Sequence, residues 1–473
     1  MINDKTNTST NGSRVNLLTM MRLGLFQMGL SMMSILTLGV LNRVMIQELA
    51  IPATIVAAVL AIPLFVSPAR IWFGQRSDSK RLFGYHRTGY VWVGTAVLAV
   101  TAFIAVQLMW QLGSAVQAAG GWSWSPRSGV WLGLLSLVFA IYGLAISASS
   151  TTFTALLVDI SEEDNRSKLV GVVWSMLMVG VIIGAVLSGV LLGQLTIDSS
   201  IETLQEAVNR LFIIVPAIVF GLSLFATVGI ENQYSKYASR SSVADREDGI
   251  TLARAWKILT ASPQTMRFFT FLVVMTISLF MIDPVMEPYG GQIFKMSVSD
   301  STKLNAFVGI GTLISLTVTG FLVVPRFGKR NTARLGCCLV ALSVGLICLA
   351  GFTANPQFLQ ASLFLFGIAN GVVTTGTITL MMDLTAIETA GTFVGAWGLG
   401  QATARGIAIV TGGAVLDVGK GLFTHSVLAY ALVFVFQALG MVFAIWALNR
   451  VSVTEFRATA SVAIASVLES ELD

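Results

Sequence analysis

The sequence predicts an all-α integral membrane protein of twelve transmembrane helices arranged as two six-helix halves. Three observations carry that expectation. Apolar runs of about 20 residues, each long enough to cross ~30 Å of hydrocarbon, recur through most of the 473 residues. Charged residues make up 11% of the chain and hydrophobic residues 55%, with a mean hydropathy of +0.80, whereas soluble domains carry about 25% charge. A pattern of glycines and an aspartate also occurs twice, running from Gly143 to Asp159 and again from Gly367 to Asp383.

A polar tail of residues 1–22 comes first, and the apolar run behind it reaches full span length, so span 1 is expected to be retained rather than cleaved. The first six spans fall near 23–44, 53–73, 89–112, 129–157, 169–193 and 211–230, forming an N-terminal half of 23–230. A polar linker, 231–267, separates it from spans near 268–286, 304–325, 333–352, 358–382, 391–416 and 427–448, a C-terminal half of 268–448. Within the linker, Leu252, Trp256 and Leu259 recur at helical spacing beside Arg254 and Lys257, which predicts a short interfacial helix. In the tail, 449–473, Val453, Phe456, Ala460, Ile464 and Val467 predict a second amphipathic helix.

Charge sets the expected orientation. Of the 29 Lys and Arg residues, 22 fall on the side of the N-terminus and 6 on the other, with Arg405 inside a span. The excess of basic residues in cytoplasmic loops then places both termini in the cytoplasm. The internal pattern keeps its register: Gly171 follows Asp159 as Gly395 follows Asp383, and Ser188-Gly189 corresponds to Gly412-Gly413. Such repeats place a central site between the halves.

Several function classes drop out. The two histidines, His86 and His425, lie on opposite sides of the membrane, and no Walker loop, nucleotide fingerprint or metal-spaced Cys/His cluster is present. The chain is not expected to be an enzyme, nor to bind nucleotide, metal or nucleic acid. Cys337, Cys338 and Cys348 share one apolar run and suggest no disulfide framework.

Charges at hydrocarbon depth are functional suspects. Arg405, in the middle of span 11, leads, with Asp383 at the end of span 10 as a partner; the pair is either a clamp pinning two helices or a contact for substrate. Asp159 and Asp383, at equivalent span ends, are candidates for a latch with basic loops, the alternative being solvated helix ends. Those loops contribute Gly74, Arg76, Asp78, Arg81, Arg87, Arg166, Arg326, Lys329 and Arg330. The stretch MIDPVMEPYGGQIF should break span 7 at Pro284, Pro288, Gly290 and Gly291 and free carbonyls near Asp283, Glu287 and Tyr289. Carboxylates at span centres are otherwise scarce, which weighs against a proton-coupled carrier. Aromatic residues such as Trp174, Phe393 and Trp397 are core, lipid-facing, or the wall of a site for a large flat lipophile. A magnesium-bearing pigment would take an axial ligand from a group such as Asn42, Gln107, Asn370 or Gln401.

The chain resembles the PucC family, also called the bacteriochlorophyll delivery family, a branch of the major facilitator superfamily that includes LhaA-like proteins. The similarity is carried by LGLFQMG from Leu23, LNRVMIQEL from Leu41, the RSDSKR and GYHRTGYVWVG stretches between Arg76 and Gly94, and VDISEEDNR from Val158. In the second half EPYGGQ from Glu287 and MDLTAIETAGTFVGAWGLGQATARG from Met382 carry it. The resemblance implies the major facilitator fold and a role in assembling photosynthetic pigment–protein complexes, with chlorophyll or bacteriochlorophyll as bound cargo and carotenoid as a further pigment. Its implied partners are membrane lipids and antenna or photosystem subunits, together with chlorophyll-biosynthesis or small high-light-induced proteins. The short tails favour a cyanobacterial member in a thylakoid, or else a photosynthetic plasma membrane. Two other classes stay open: a small-solute permease and a non-transporting scaffold for nascent antenna helices.

Overall fold

The computed structural model describes residues 15–160, 163–193, 200–235, 263–383 and 390–452. Its helices are α1 (Leu17–Glu48), α2 (Ala53–Phe65), α3 (Ala69–Ser79), α4 (Thr88–Ala118), α5 (Pro126–Ile160), α6 (Glu163–Leu191), α7 (Ile201–Thr227) and α8 (Ile230–Tyr234). A second set follows: α9 (Pro263–Phe280), α10 (Met286–Phe294), α11 (Val298–Phe327), α12 (Lys329–Thr353), α13 (Pro356–Asp383), α14 (Ala390–Leu422) and α15 (Ser426–Leu448). The expected linker and tail helices lie outside the described residues.

Among the described residues ten helices are long and apolar enough to cross a membrane, and Ala53–Phe65 and Met266–Phe280 are shorter apolar helices. Two expected spans are interrupted. Near 53–73 the chain turns at Val66–Pro68, where Pro68 cannot continue the α2 hydrogen-bond ladder and instead heads α3. Near 268–286, α9 ends at Phe280 and a turn over Met281–Val285 leads into α10. The first span is longer than expected, Leu17–Glu48, and winds into wide π-helical turns over Ile35–Leu41 and Val44–Glu48.

For orientation, the end of the bundle where α1 begins and α15 ends is called the terminal face, and the other the opposite face. In the first set α1 packs on α6 and α7, α4 on α5 and α7, and α2 and α3 on α5. In the second, α12 packs on α13 and α15, α11 on α13, and α9 on α14 and α15. The sets meet along α6 with α11 and α2 with α14, and α1 also touches α10 and α11.

The repeated glycines explain this packing. A Cβ on Gly143 would lie 2.6 Å from Pro63 Cα of α2, and one on Gly367 would run into the Val308 carbonyl of α11. Counting α2 with α3, and α9 with α10, as single columns, each glycine lets the fourth column of its set approach the second. At the seams Gly413 meets the Ala53 carbonyl of α2 in the same way, while Gly189 faces the Lys303 side chain of α11. With no lipid-versus-water driving force between helices inside a bilayer, such close backbone approach supplies dispersion that bulkier residues would forfeit.

Gly143→Leu and Gly367→Leu are therefore expected to destabilise the fold by about 1–3 kcal/mol each through overpacking, read as a lowered unfolding midpoint in detergent. Gly133→Leu, where an added Cβ meets nothing within 4 Å, should leave the midpoint unchanged.

Candidate functional site

Arg405 sits deep in α14, 15 residues after Ala390 and 17 before Leu422, so helical rise puts it more than ~20 Å from either end. Its guanidinium Nη2 donates to Asp283 Oδ2 at 2.9 Å, with side-chain exposures of 36% and 22%. The guanidinium also lies 4.3 Å over the Phe280 ring, a geometry that attracts a cation to the ring face. Both partners come from the break between α9 and α10: because the chain unwinds after Phe280, Asp283 projects from a turn rather than a regular helix. Among the described side chains the partner of Arg405 is thus Asp283; the expected partner, Asp383, ends α13 and its side chain lies outside them.

Gln401, half-buried, is one turn before Arg405 and on the same helical face. The other amides are engaged elsewhere. Gln107 Nε2 and Trp110 Nε1 both donate to Asn209 Oδ1 at 3.1 Å, tying α4 to α7, and Asn370 Oδ1 accepts from Thr374 Oγ1 at 3.1 Å. Asn42 Nδ2 donates to the Pro284 carbonyl at 2.7 Å. Trp174 is exposed, and the side chains of Phe393 and Trp397 lie outside the described residues.

Near the opposite face, α1 is bonded to α10 and α11. Arg43, 4% exposed, donates from Nη1 to the Ser297 carbonyl at 2.6 Å and to Ser301 Oγ, and from Nη2 to the Met296 carbonyl at 2.7 Å. Gln47 Nε2 donates to the Pro288 carbonyl. This corrects the expected break. Pro288, Gly290 and Gly291 lie inside α10, not in a kink. Pro288 stands in the first turn, where a missing N–H costs nothing. A Cβ at Gly291 would collide with Arg43 and Gln47, so that glycine is there for close approach. Tyr289, also in α10, donates to the Ile347 carbonyl at 2.8 Å and packs among Phe294, Tyr430 and Phe434. On the α2–α14 seam, Asp417 accepts from Ala53 N at 3.0 Å and from Thr54 N and Oγ1 at 2.7 Å, capping α2 from the other set. Ser299 Oγ donates to the Gly189 carbonyl at 2.6 Å across the α6–α11 seam.

Between described residues, then, the side-chain hydrogen bonds joining the two sets run from the Asn42–Pro284 contact beside Asp283 toward the opposite face. Carboxylates inside the bundle are also less scarce than the sequence suggests: Asp283 and Glu287 both sit there, Glu287 at 1% exposure.

The terminal-face loops form a separate group. Arg87 donates to Asp159 Oδ2 at 2.9 Å and to Ser77 Oγ at 2.5 Å. Glu231 accepts the backbone N–H groups of His86, Arg87 and Thr88, satisfying the free donors that open α4 and placing a negative charge at its positive end. Arg81 Nε donates to His86 Nε2 at 3.0 Å, around a tight turn in which Gly84 takes φ 85. Gly74 faces Thr151 of α5, and Arg76 stacks over Trp72 at 5.9 Å. These contacts bind α3, α4, α5 and α8 within the first set. In the second, Arg330 Nη2 donates to the Asn449 carbonyl at 2.7 Å, Arg326 is exposed and Lys329 begins α12. The side chains of Asp78, Arg166 and Asp383 are outside the described residues.

Sequence reasoning missed Arg43, Asn209, Glu231, Asn305 and Asp417. The signal for Arg43 is its spacing from Gln47, four apart on one face of an otherwise apolar helix.

Residues 40–456 match the family model described as PUCC protein. The chain belongs to the PucC family. The PucC protein of Rhodovulum sulfidophilum is 30% identical over 413 residues, covering 85% of this chain and 85% of that protein. A Rhodobacter capsulatus relative named Bacteriochlorophyll synthase 44.5 kDa chain is 28% identical over 432 residues, covering 89% and 92%. The expected cyanobacterial origin finds no support in these relatives, whose sources are other bacteria. The nucleoside transporter NupG superposes with a TM-score of 0.65 over 92% of this chain and 98% of its own, at 14% identity, so this PucC-family chain has a transporter fold of the major facilitator type. Together the family and the fold point to a non-enzymatic integral membrane protein.

Proposed function

We propose that this PucC-family protein is an assembly factor for photosynthetic pigment–protein complexes, handling a chlorophyll-type pigment between its two helix sets for antenna or photosystem apoproteins. The observation that carries the reading is the family match over residues 40–456, which takes in both seams and the Arg405–Asp283 pair. In this reading α2 with α3, and α9 with α10, complete two further spans, giving twelve in two six-helix halves. Both termini are cytoplasmic by the distribution of basic residues, so the bonded opposite face is the non-cytoplasmic one and cargo enters from the cytoplasmic side of a thylakoid or photosynthetic plasma membrane. Gln401 offers an axial oxygen beside Arg405, and Arg405 a cation for a polar substituent of the pigment. Chlorophyll or bacteriochlorophyll is the cargo, with carotenoid as a companion; the terminal-face loops contact lipid and client subunits.

A small-solute permease is the second reading, favoured by Asp283 and Glu287 inside the bundle. The two separate on purification in mild detergent followed by an absorption spectrum and identification of co-purifying subunits. Bound chlorophyll-type pigment is expected. Saturable uptake of a polar solute into proteoliposomes, with no pigment bound, overturns the assembly reading in favour of the permease, and antenna subunits without pigment replace pigment handling by scaffolding.

A further inference from the structure

Glu287 has no part in the pigment-handling reading. Its side chain is buried at the meeting of α1, α10 and α11. Oε1 accepts from Asn305 Nδ2 and lies so close to Gly39, in the π-helical part of α1, that a Cβ there would be 2.9 Å from it. Oε2 has no hydrogen-bond partner. The same seam holds two further orphaned buried atoms, Asn42 Oδ1 and Arg43 Nε.

Among the described residues no cation bonds to it, and Arg43, whose charge reaches it, makes no ion pair with it. Arg43 spends its Nη donors on the Met296 and Ser297 carbonyls and Ser301, Asp283 is paired with Arg405, and Lys303 pairs with Asp300 at 3.0 Å. Tyr430 donates to Gln292 at 2.9 Å, Tyr289 to the Ile347 carbonyl, and Glu48 is at the exposed end of α1. A carboxylate buried with no cation bonded to it and with one oxygen bare is costly, and a proton on Oε2 removes the charge and supplies a donor.

We propose that Glu287 is a proton site coupled to the seam between the helix sets: Oε2 carries the proton while α1 is packed on α10, and passes it to water when the sets part. This goes beyond the assembly reading and is independent of which cargo the protein takes. The sign follows from linkage. The closed form binds the proton more tightly, so closing is favoured at low pH and opening as pH rises, with at most a tenfold change per pH unit for one proton.

The test uses the full chain in detergent with Cys337, Cys338 and Cys348 replaced by Ala and a cysteine introduced by Ser299→Cys on the α6–α11 seam. Its rate of labelling by a hydrophilic maleimide is divided by that of a Ser123→Cys protein, exposed in the α4–α5 loop, which cancels the intrinsic pH dependence of the thiol. Between about pH 6 and about pH 9 the ratio is expected to rise about tenfold or more, and to stay flat with Glu287→Gln, which keeps the shape of the neutral acid. A flat ratio in the parent, or an equal rise in E287Q, overturns the proposal. Infrared difference spectra give a second measurement: a carboxylic-acid carbonyl stretch at neutral pH, present in the parent and lost in E287Q, is expected, and its absence from the parent equally overturns the assignment.

Discussion

Arg405→Leu is expected to abolish accumulation of the client pigment–protein complexes while the protein still inserts in the membrane. Removing the guanidinium leaves Asp283 without its partner at mid-depth. Breaking a fully buried pair costs about 3–5 kcal/mol; with about a third of the Arg405 side chain exposed the expected loss is nearer 2–3 kcal/mol. Stability alone does not separate a helix clamp from a site, but the double variant Arg405→Leu/Asp283→Leu does. It removes both charges, and apolar replacement of a pair is often near neutral, so the unfolding midpoint should recover. A clamp predicts that complex accumulation recovers with it. A central site predicts that accumulation stays lost, because neither Gln401 nor Phe280 replaces the cation. Normal accumulation in the single variant would remove Arg405 from the site altogether, as measured by absorption of membranes from the complemented strain.

The helical membrane fold was legible because its cause is local. Each span is written as a run of apolar residues, and the repeat was legible because Gly143, Gly367 and Gly413 each meet backbone of a neighbouring helix where a side chain would not fit. The breaks were only half legible. Pro68 and the Met281–Val285 turn interrupt their columns, yet Pro288, Gly290 and Gly291 carry equally strong breaking chemistry and sit in a helix, since a first-turn proline loses nothing and both glycines are used for contact. The partner of Arg405 was not legible. Asp283 is 122 residues from it in sequence and meets it from the turn that follows Phe280, a placement no local pattern encodes. Glu231 reaching back to the start of α4, and Asp417 capping α2, are likewise contacts of separate columns that no local pattern encodes.

Arg43→Met should be the most damaging single change on the opposite face. The side chain is nearly isosteric along its stem, but the guanidinium that lies against Gly291 is removed, and the Met296 and Ser297 carbonyls and Ser301 lose a charged donor in a buried seam. Bonds to a charged group are each worth about 1.5–3 kcal/mol, and they share one guanidinium, so a total loss of about 3–5 kcal/mol is expected, seen as a large fall in the unfolding midpoint in detergent. Arg43→Lys retains the charge but has one ammonium where two Nη groups diverge, and should recover less than half of the difference. Lys303→Met provides the contrast: its pair with Asp300 is exposed, pairs of that kind contribute about 0–1 kcal/mol, and the midpoint should barely move. If Arg43→Met were as mild as Lys303→Met, α1 would not be what holds α10 and α11 at that face, and Asp417 and Ser299 would have to keep the two sets together there.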